Sequence, residues 1–223
     1  MRYRSMPNTA RDSIAEFLIA NIPKRIVLSI EEALIVGAQR AYAAARGMDK
    51  GHLANALGQD RHFHMNEGFH RALAANGANP TPLKGNSLVT GTAGSITLGR
   101  LNTSIGVWNR GRSSVMRREL CEQNKHIAQF LQGDLFRVGT APTACTIFFV
   151  ACFARGPGCV LESPESIHVA VPEMEMKEWL FREPLSMFLA RYDHGTQVQA
   201  DRVTPKLKAA VQQRDKMLGS GDE

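Results

Sequence analysis

Apolar residues recur every three or four positions through the first third of the chain, which is the spacing of helices with one buried face. The pattern predicts three helices, over about 10–22, 30–46 and 50–76. Pro23 separates the first helix from the second, and Ser29 with Glu32 has the spacing of a capping box that would start the second. A break is expected near Gly58, inside the third helix.

The periodicity changes after Gly77. Proline and glycine in 78–86 predict a loop, and 87–108 is rich in β-branched residues interrupted by glycines. This second segment predicts two or three short strands with tight turns. Ser113 or Ser114 would then cap a helix that runs to about 132.

The last third of the chain returns to apolar runs. The run over 145–153 predicts a strand buried on both faces, and the alternation over 166–171 predicts another. A helix over 173–192 is expected to kink or break at Pro184. A final basic helix is predicted over about 205–217.

This order of elements predicts one fold class. It indicates an α+β protein in which an N-terminal helical layer is followed by a mixed β-sheet flanked by helices. The helical region would be 1–77, and the α/β region 78–223 would pack with it as one globular unit. A chain of 223 residues is long enough to bury a sizeable core in that arrangement.

Composition favours a cytoplasmic protein that makes no membrane contact. The most hydrophobic run, over 144–154, is far too short to span a bilayer, and the N-terminus lacks the apolar segment of a secretion signal. The four cysteines lack the spacing of a metal site, and two of them lie in that apolar run. Reduced, buried thiols are therefore expected, and no cofactor is predicted.

Charge is distributed unevenly along the chain. The net charge is +6, yet the interval 68–118 contains no Asp or Glu and holds seven of the Lys and Arg residues. Clustered cations attract polyanions more strongly than scattered ones, so this acid-free interval predicts an anionic partner. Nucleic acid is the favoured partner, with DNA preferred over RNA.

Within the acid-free interval, the densest cations lie around a predicted helix start. Backbone N–H groups at such a start have no helical partner and favour an anion. We therefore expect phosphate contacts from the arginines of the interval and from two serines at the helix start. These residues are Arg100, Arg110, Arg112, Ser113, Ser114, Arg117 and Arg118.

A group of histidines and one acid precedes the acid-free interval. His64, Glu67 and His70 are spaced by three residues along the predicted third helix. His64 and Glu67 are the candidate acid–base pair of an enzyme that acts on the bound strand. The zincin spacing is absent, so a metal site is not predicted there.

The order helix, three strands, helix, strand over 61–153 is similar to the core of restriction-endonuclease-like nucleases. Those nucleases hold Mg²⁺ with acids on two strands, whereas the strands predicted over 61–153 contain none. A nuclease or other hydrolase dependent on His64 and Glu67 is one alternative to simple binding. Another alternative is a non-catalytic module that forms a homodimer through the methionine-rich and aromatic stripe of 174–192.

Overall fold

The fold is α+β, as the sequence predicts. A computed structural model describes residues 8–108, 110–127, 144–156 and 159–199. Its helices are α1 (Asn8–Asn21), α2 (Lys24–Ala45), α3 (Lys50–Ala75), α4 (Val115–Cys121) and α5 (Leu185–Gln199). Its strands are β1 (Gly91–Ala93), β2 (Ile96–Ser104), β3 (Cys145–Phe153), β4 (Ser166–Pro172) and β5 (Trp179–Pro184).

The five strands form one mixed sheet in the order β1-β2-β3-β4-β5. β2 and β3 are parallel, and every other neighbouring pair is antiparallel. The register pairs Ile96 with Cys145 and Ser104 with Phe153. The two parallel strands therefore end together, and their carboxyl ends share one edge of the sheet.

Both faces of the sheet are covered. A large cluster of buried apolar residues joins one face to α1, α2, α3 and α5, and includes Leu18, Leu34, Phe69, Phe149 and Phe188. A smaller cluster on the other face contains Leu101, Phe148 and Val150 with Cys121 of α4. The large cluster draws residues from both 1–77 and 78–223, so the helical layer and the sheet share a core.

Two glycines allow α2 and α3 to pack closely. A Cβ atom on Gly37 would lie 2.8 Å from the Cα of Met65, and one on Gly68 would lie 2.8 Å from the carbonyl oxygen of Ala33. Real Cβ atoms do not approach backbone atoms this closely, so a side chain at either position would force the helices apart. α3 is thereby held against α2 along its second half.

Asn124 connects the short 3-10 turn after α4 to the sheet. Its side chain is fully buried, and its amide nitrogen donates to the carbonyls of Thr146 (2.9 Å) and Pro172 (2.7 Å). Its amide oxygen accepts from the backbone N–H of Thr146 at 2.7 Å. One side chain thus satisfies backbone groups of both β3 and β4.

Two predictions about the N-terminal helices were wrong. α2 begins at Lys24, after an extended Pro23, and not at the capping box of Ser29. The apolar face extends back through Ile26, which is buried, and its burial favours the earlier start. α3 runs through Gly58 without a break, because a single glycine costs about 1 kcal/mol and the flanking turns are helical.

The prediction of a helix over 173–192 was also wrong for the first half of this range. Residues 179–184 form β5, which pairs antiparallel with β4, and the helix begins only at Leu185. Met176 adopts a left-handed backbone with φ of 55°, which ends any helical run before β5. Pro184 is the last residue of an edge strand, where the missing N–H is tolerated.

The strands predicted over 145–153 and 166–171 are confirmed. The segment 87–108 forms the hairpin of β1 and β2. α4 ends at Cys121, a 3-10 turn follows over Glu122–Asn124, and residues 125–127 are helical again. The rest of the predicted helix, over 128–132, lies outside the described residues. The basic helix predicted over 205–217 lies outside them as well.

The element order that is similar to restriction-endonuclease-like cores holds only loosely. Two strands precede α4, and the first of them has three residues. β2 and β3 contain no acid, so the paired carboxylates of that nuclease class are absent from these two strands. Across the described ranges, no helix is both long and apolar enough to cross a membrane.

Candidate functional site

Arg100 is buried between β2 and α3, with 2% of its surface exposed. Its Nε donates to Asn66 Oδ1 (2.9 Å), its Nη1 to Asn102 Oδ1 (3.1 Å) and its Nη2 to the carbonyl of His62 (2.6 Å). Burial lowers the pKa of Arg100 to about 9, with a further contribution from Arg117, so the side chain is charged at neutral pH. The phosphate contact predicted for Arg100 does not fit so enclosed a position.

Arg117 is half-buried and lies close enough to His62 and Arg100 to affect both. Burial first, and then the charges of Arg100 and Arg117, lower the pKa of His62, while a hydrogen bond with the backbone of Asn86 opposes them. The Nε of Arg117 is buried without a hydrogen-bond partner among the residues the structure describes. His62 is therefore neutral at neutral pH and stands beside two cations.

The other residues of the predicted arginine cluster lie elsewhere. Arg112 and Arg118 are exposed, and their charges add to that of Lys177 in lowering the pKa of Glu175. This acid comes from outside the acid-free interval. The side chain of Arg110 lies outside the described residues.

The two predicted serines lie at the start of α4. Ser113 is exposed in the 3-10 turn that precedes the helix. Ser114 is the N-cap, as predicted, and its Oγ accepts from the N–H of Arg117 at 3.5 Å. α4 has only seven residues, so its dipole contributes little to the binding of an anion.

His64 and Glu67 lie near each other but away from Arg100. The Glu67 carboxylate is 3.2 Å from the Arg71 guanidinium, 3.4 Å from that of Arg40 and 3.9 Å from His64 Nδ1. This group borders a shallow cavity of about 280 Å³ between α2 and α3. His62 and Asn66, on the same helix, contact Arg100 of the sheet instead, so α3 separates the predicted acid–base pair from the buried arginine.

A larger cleft of about 540 Å³ lies at the carboxyl ends of β2 and β3. Its polar lining from β2 is Asn102, Thr103 and Ser104, and its apolar lining includes Leu57 and Phe153. Three cations border it: Lys50 and Arg61 from α3, and Arg155 from the loop after β3. No Asp or Glu occurs among the described residues that line this basic cleft.

Arg61 is fixed against the wall of the basic cleft. Its guanidinium carbon lies 3.7 Å from the centroid of the Phe153 ring, and its Nη2 donates to the carbonyl of Leu161. Burial lowers the pKa of Arg61 to about 10, which leaves it charged at neutral pH. Its Nε is buried and has no hydrogen-bond partner within the described ranges.

Sequence reasoning missed all three cations of the basic cleft, because they lie outside the acid-free interval. Two signals point to them in retrospect. Lys50 and Arg61 are eleven residues apart, which is close to three helical turns and places them on one face of α3. Arg155 follows a buried strand by two residues, and ligands of sheets with parallel strands bind beyond their carboxyl ends.

A second, shallow and open cavity of about 450 Å³ adjoins the basic cleft across α3, and the α3 side chains Asn55 and Gln59 on it are exposed. It is lined by three residues with amide side chains, Asn55, Gln59 and Asn86, together with His62. The only residues that line both cavities, among those described, are Ala54 and Gly58. We refer to this second space as the amide cavity.

A serine–histidine pair lies on the other face of the sheet. Ser166 Oγ is 3.2 Å from His168 Nε2, and the histidine ring packs edge-on against Trp108 with centroids 5.0 Å apart. His168 Nδ1 is buried and has no partner among the residues described. A Ser–His nucleophile needs a third group that orients the histidine, and the described residues supply none here.

Neither a metal centre nor a known family accounts for these features. Within the described ranges, no three His, Cys, Asp or Glu side chains are grouped to hold a metal ion. The chain matches no protein-family model, no curated protein and no solved structure. The function must therefore be inferred from the geometry of the site.

Proposed function

We propose that this protein binds nucleic acid, DNA in the first instance, by holding backbone phosphates in the basic cleft. One observation carries the proposal. Lys50, Arg61 and Arg155 border a cleft of about 540 Å³ whose described lining contains no acid. A lining that carries cations and no carboxylate has a positive potential, which attracts an anion.

The chemistry of the lining suits a phosphate. Arginine presents a planar fork of donors that matches two phosphate oxygens, while lysine acts as a point charge. Arg61 is already held in place by Phe153 and Leu161, so little side-chain freedom is lost when it binds. Ser104 adds a small hydroxyl at the end of β2.

The size of the basic cleft favours a single strand over a duplex. A volume of about 540 Å³ is in the range of sites that enclose one small molecule. A duplex presents a broad convex backbone that such a concave site does not match, whereas one nucleotide of a single strand can enter it.

The proposal is for binding and includes no catalytic step. The predicted acid–base pair, His64 and Glu67, is engaged with Arg40 and Arg71 on the α2 side of α3. A strand held in the basic cleft would therefore not lie against that pair.

Photo-crosslinking tests where the strand binds. A single-stranded oligonucleotide that carries iododeoxyuridine is irradiated with the protein, and cross-linked peptides are identified by mass spectrometry. We expect cross-links within 50–61 or at Arg155, because these border the basic cleft. Cross-links confined to 110–118 would return the site to the predicted arginine cluster and overturn the proposal.

A further inference from the structure

Gly58 lies in the middle of the long helix α3. The packing of the protein does not require a glycine at this position. Glycine inside a helix costs about 1 kcal/mol relative to alanine. Gly37 and Gly68 are explained by the close contact of α2 and α3. A Cβ atom on Gly58, by contrast, would meet no heavy atom within 4 Å, so a side chain at this position would project into open space.

Gly58 lies where the basic cleft and the amide cavity meet. It lines both spaces, and Ala54, one helical turn earlier, is the other described residue that does so. The two smallest side chains of this face are therefore stacked on the surface of α3 between the cavities. Because both side chains are so small, the surface of α3 is low at these two residues, and an extended chain can pass over it there. We call this place on the helix the crossing.

The two sides of this crossing differ in chemistry. The basic cleft offers Lys50, Arg61 and Arg155, which suit phosphates. The amide cavity offers Asn55, Gln59 and Asn86, whose paired donors and acceptors match the hydrogen-bonding edges of bases.

We propose that a single nucleic-acid strand crosses α3 over Ala54 and Gly58. Its phosphates bind in the basic cleft, and the base of the next nucleotide binds among the amides of the amide cavity. The inference rests on the proposed function and adds a second subsite to it. It requires a ligand of at least two nucleotides for full affinity.

The test compares Gly58→Leu with Gly51→Leu. Gly51 lies on the same helix, a Cβ there would also meet no atom within 4 Å, and it lines neither cavity. Leucine favours helix more than glycine does, so neither variant should unfold, and thermal melting verifies this. Leucine is preferred to an aromatic residue, which would itself stack on a base.

Two ligands are titrated against each variant. One is a labelled single strand of about twelve nucleotides, in DNA and RNA forms, and the other is a fluorescent mononucleotide. Gly58→Leu is expected to weaken binding of the long strand roughly tenfold, the value of one base contact, and to weaken mononucleotide binding by a clearly smaller factor, because Gly58 also borders the basic cleft. Gly51→Leu is expected to change neither affinity, and the DNA and RNA arms report on the sugar.

The outcomes separate this inference from the proposed function. Suppose that Gly58→Leu binds the long strand as tightly as the native chain does, while Arg61→Gln or Arg155→Gln weakens binding. This result would contradict the passage of the strand over α3 and would support phosphate binding in the basic cleft. Equal losses for the long strand and the mononucleotide also overturn the crossing. If the native chain binds neither ligand, the proposed function itself fails.

Discussion

The Arg61→Gln, Arg155→Gln double variant is expected to bind single-stranded DNA about 30-fold more weakly than the native chain. Each side chain would make a charge-assisted hydrogen bond to phosphate, which is worth about 1 kcal/mol where solvent still reaches the site. Arg155 is exposed and Arg61 is only partly buried, so the lower value applies to both. Two such losses together weaken binding about 30-fold.

Fluorescence anisotropy with a labelled strand of about twelve nucleotides measures this effect. The matched control is Arg25→Gln with Arg40→Gln, which changes the net charge equally at two positions of α2 outside the basic cleft. The control should bind within about threefold of the native chain, because distant surface charges are screened. A control that loses as much affinity as the test variant would show a non-specific charge effect.

Asn124→Ala is expected to lower the free energy of unfolding by about 3 to 5 kcal/mol. The substitution leaves the N–H and the carbonyl of Thr146, and the carbonyl of Pro172, without the partner they now have. Each buried polar group left unsatisfied costs about 1 to 3 kcal/mol, and Asn124 is fully buried. Urea unfolding measures the change directly.

Asn124→Asp separates hydrogen bonding from the loss of volume. The carboxyl has the same shape, but when ionised it cannot donate to the carbonyls of Thr146 and Pro172. A buried carboxyl holds its proton to a higher pH when folded than when unfolded. When protonated, the carboxyl has one O–H and can donate to one of these two carbonyls. This variant should therefore recover part of the native stability below about pH 4 and lose it as the pH rises. A deficit that does not change with pH would contradict the role given to Asn124.

The sequence was sufficient for the elements whose apolar period is unambiguous. β3 could be predicted from its uninterrupted apolar run, and α3 from its length and spacing. β5 could not, because Trp179, Leu180 and Phe181 are compatible with a helical stripe. These residues form a strand because they pair with β4, and this long-range contact leaves no pattern in the local sequence.

Most of the basic cleft could not be predicted from charge along the chain. The acid-free interval is acid-free in sequence only, since Glu175 lies near Arg112 and Arg118 in space. Strand alternation does explain Arg100, which shares a face with the buried Ile96 and Leu98 and is directed into the core. Its partner Asn66 belongs to another element, which only the fold brings close.

The parallel pairing of β2 and β3 is the feature that unites the basic cleft. It brings Ser104 and Phe153 to the same edge of the sheet, and Arg155 follows from the second strand. α3 then places Lys50 and Arg61 across that edge. Three segments that are distant in the sequence are needed, so no single stretch of residues carries the site.

The salt dependence of binding tests the central claim most directly. Affinity for single-stranded DNA is measured over a series of salt concentrations for the native chain and for Arg155→Gln. Three cations that contact phosphates predict a slope of about −2 in log affinity against log salt, and removing one should reduce its magnitude by about 0.7. A slope near zero for the native chain, or the same slope for both proteins, would contradict phosphate binding in the basic cleft.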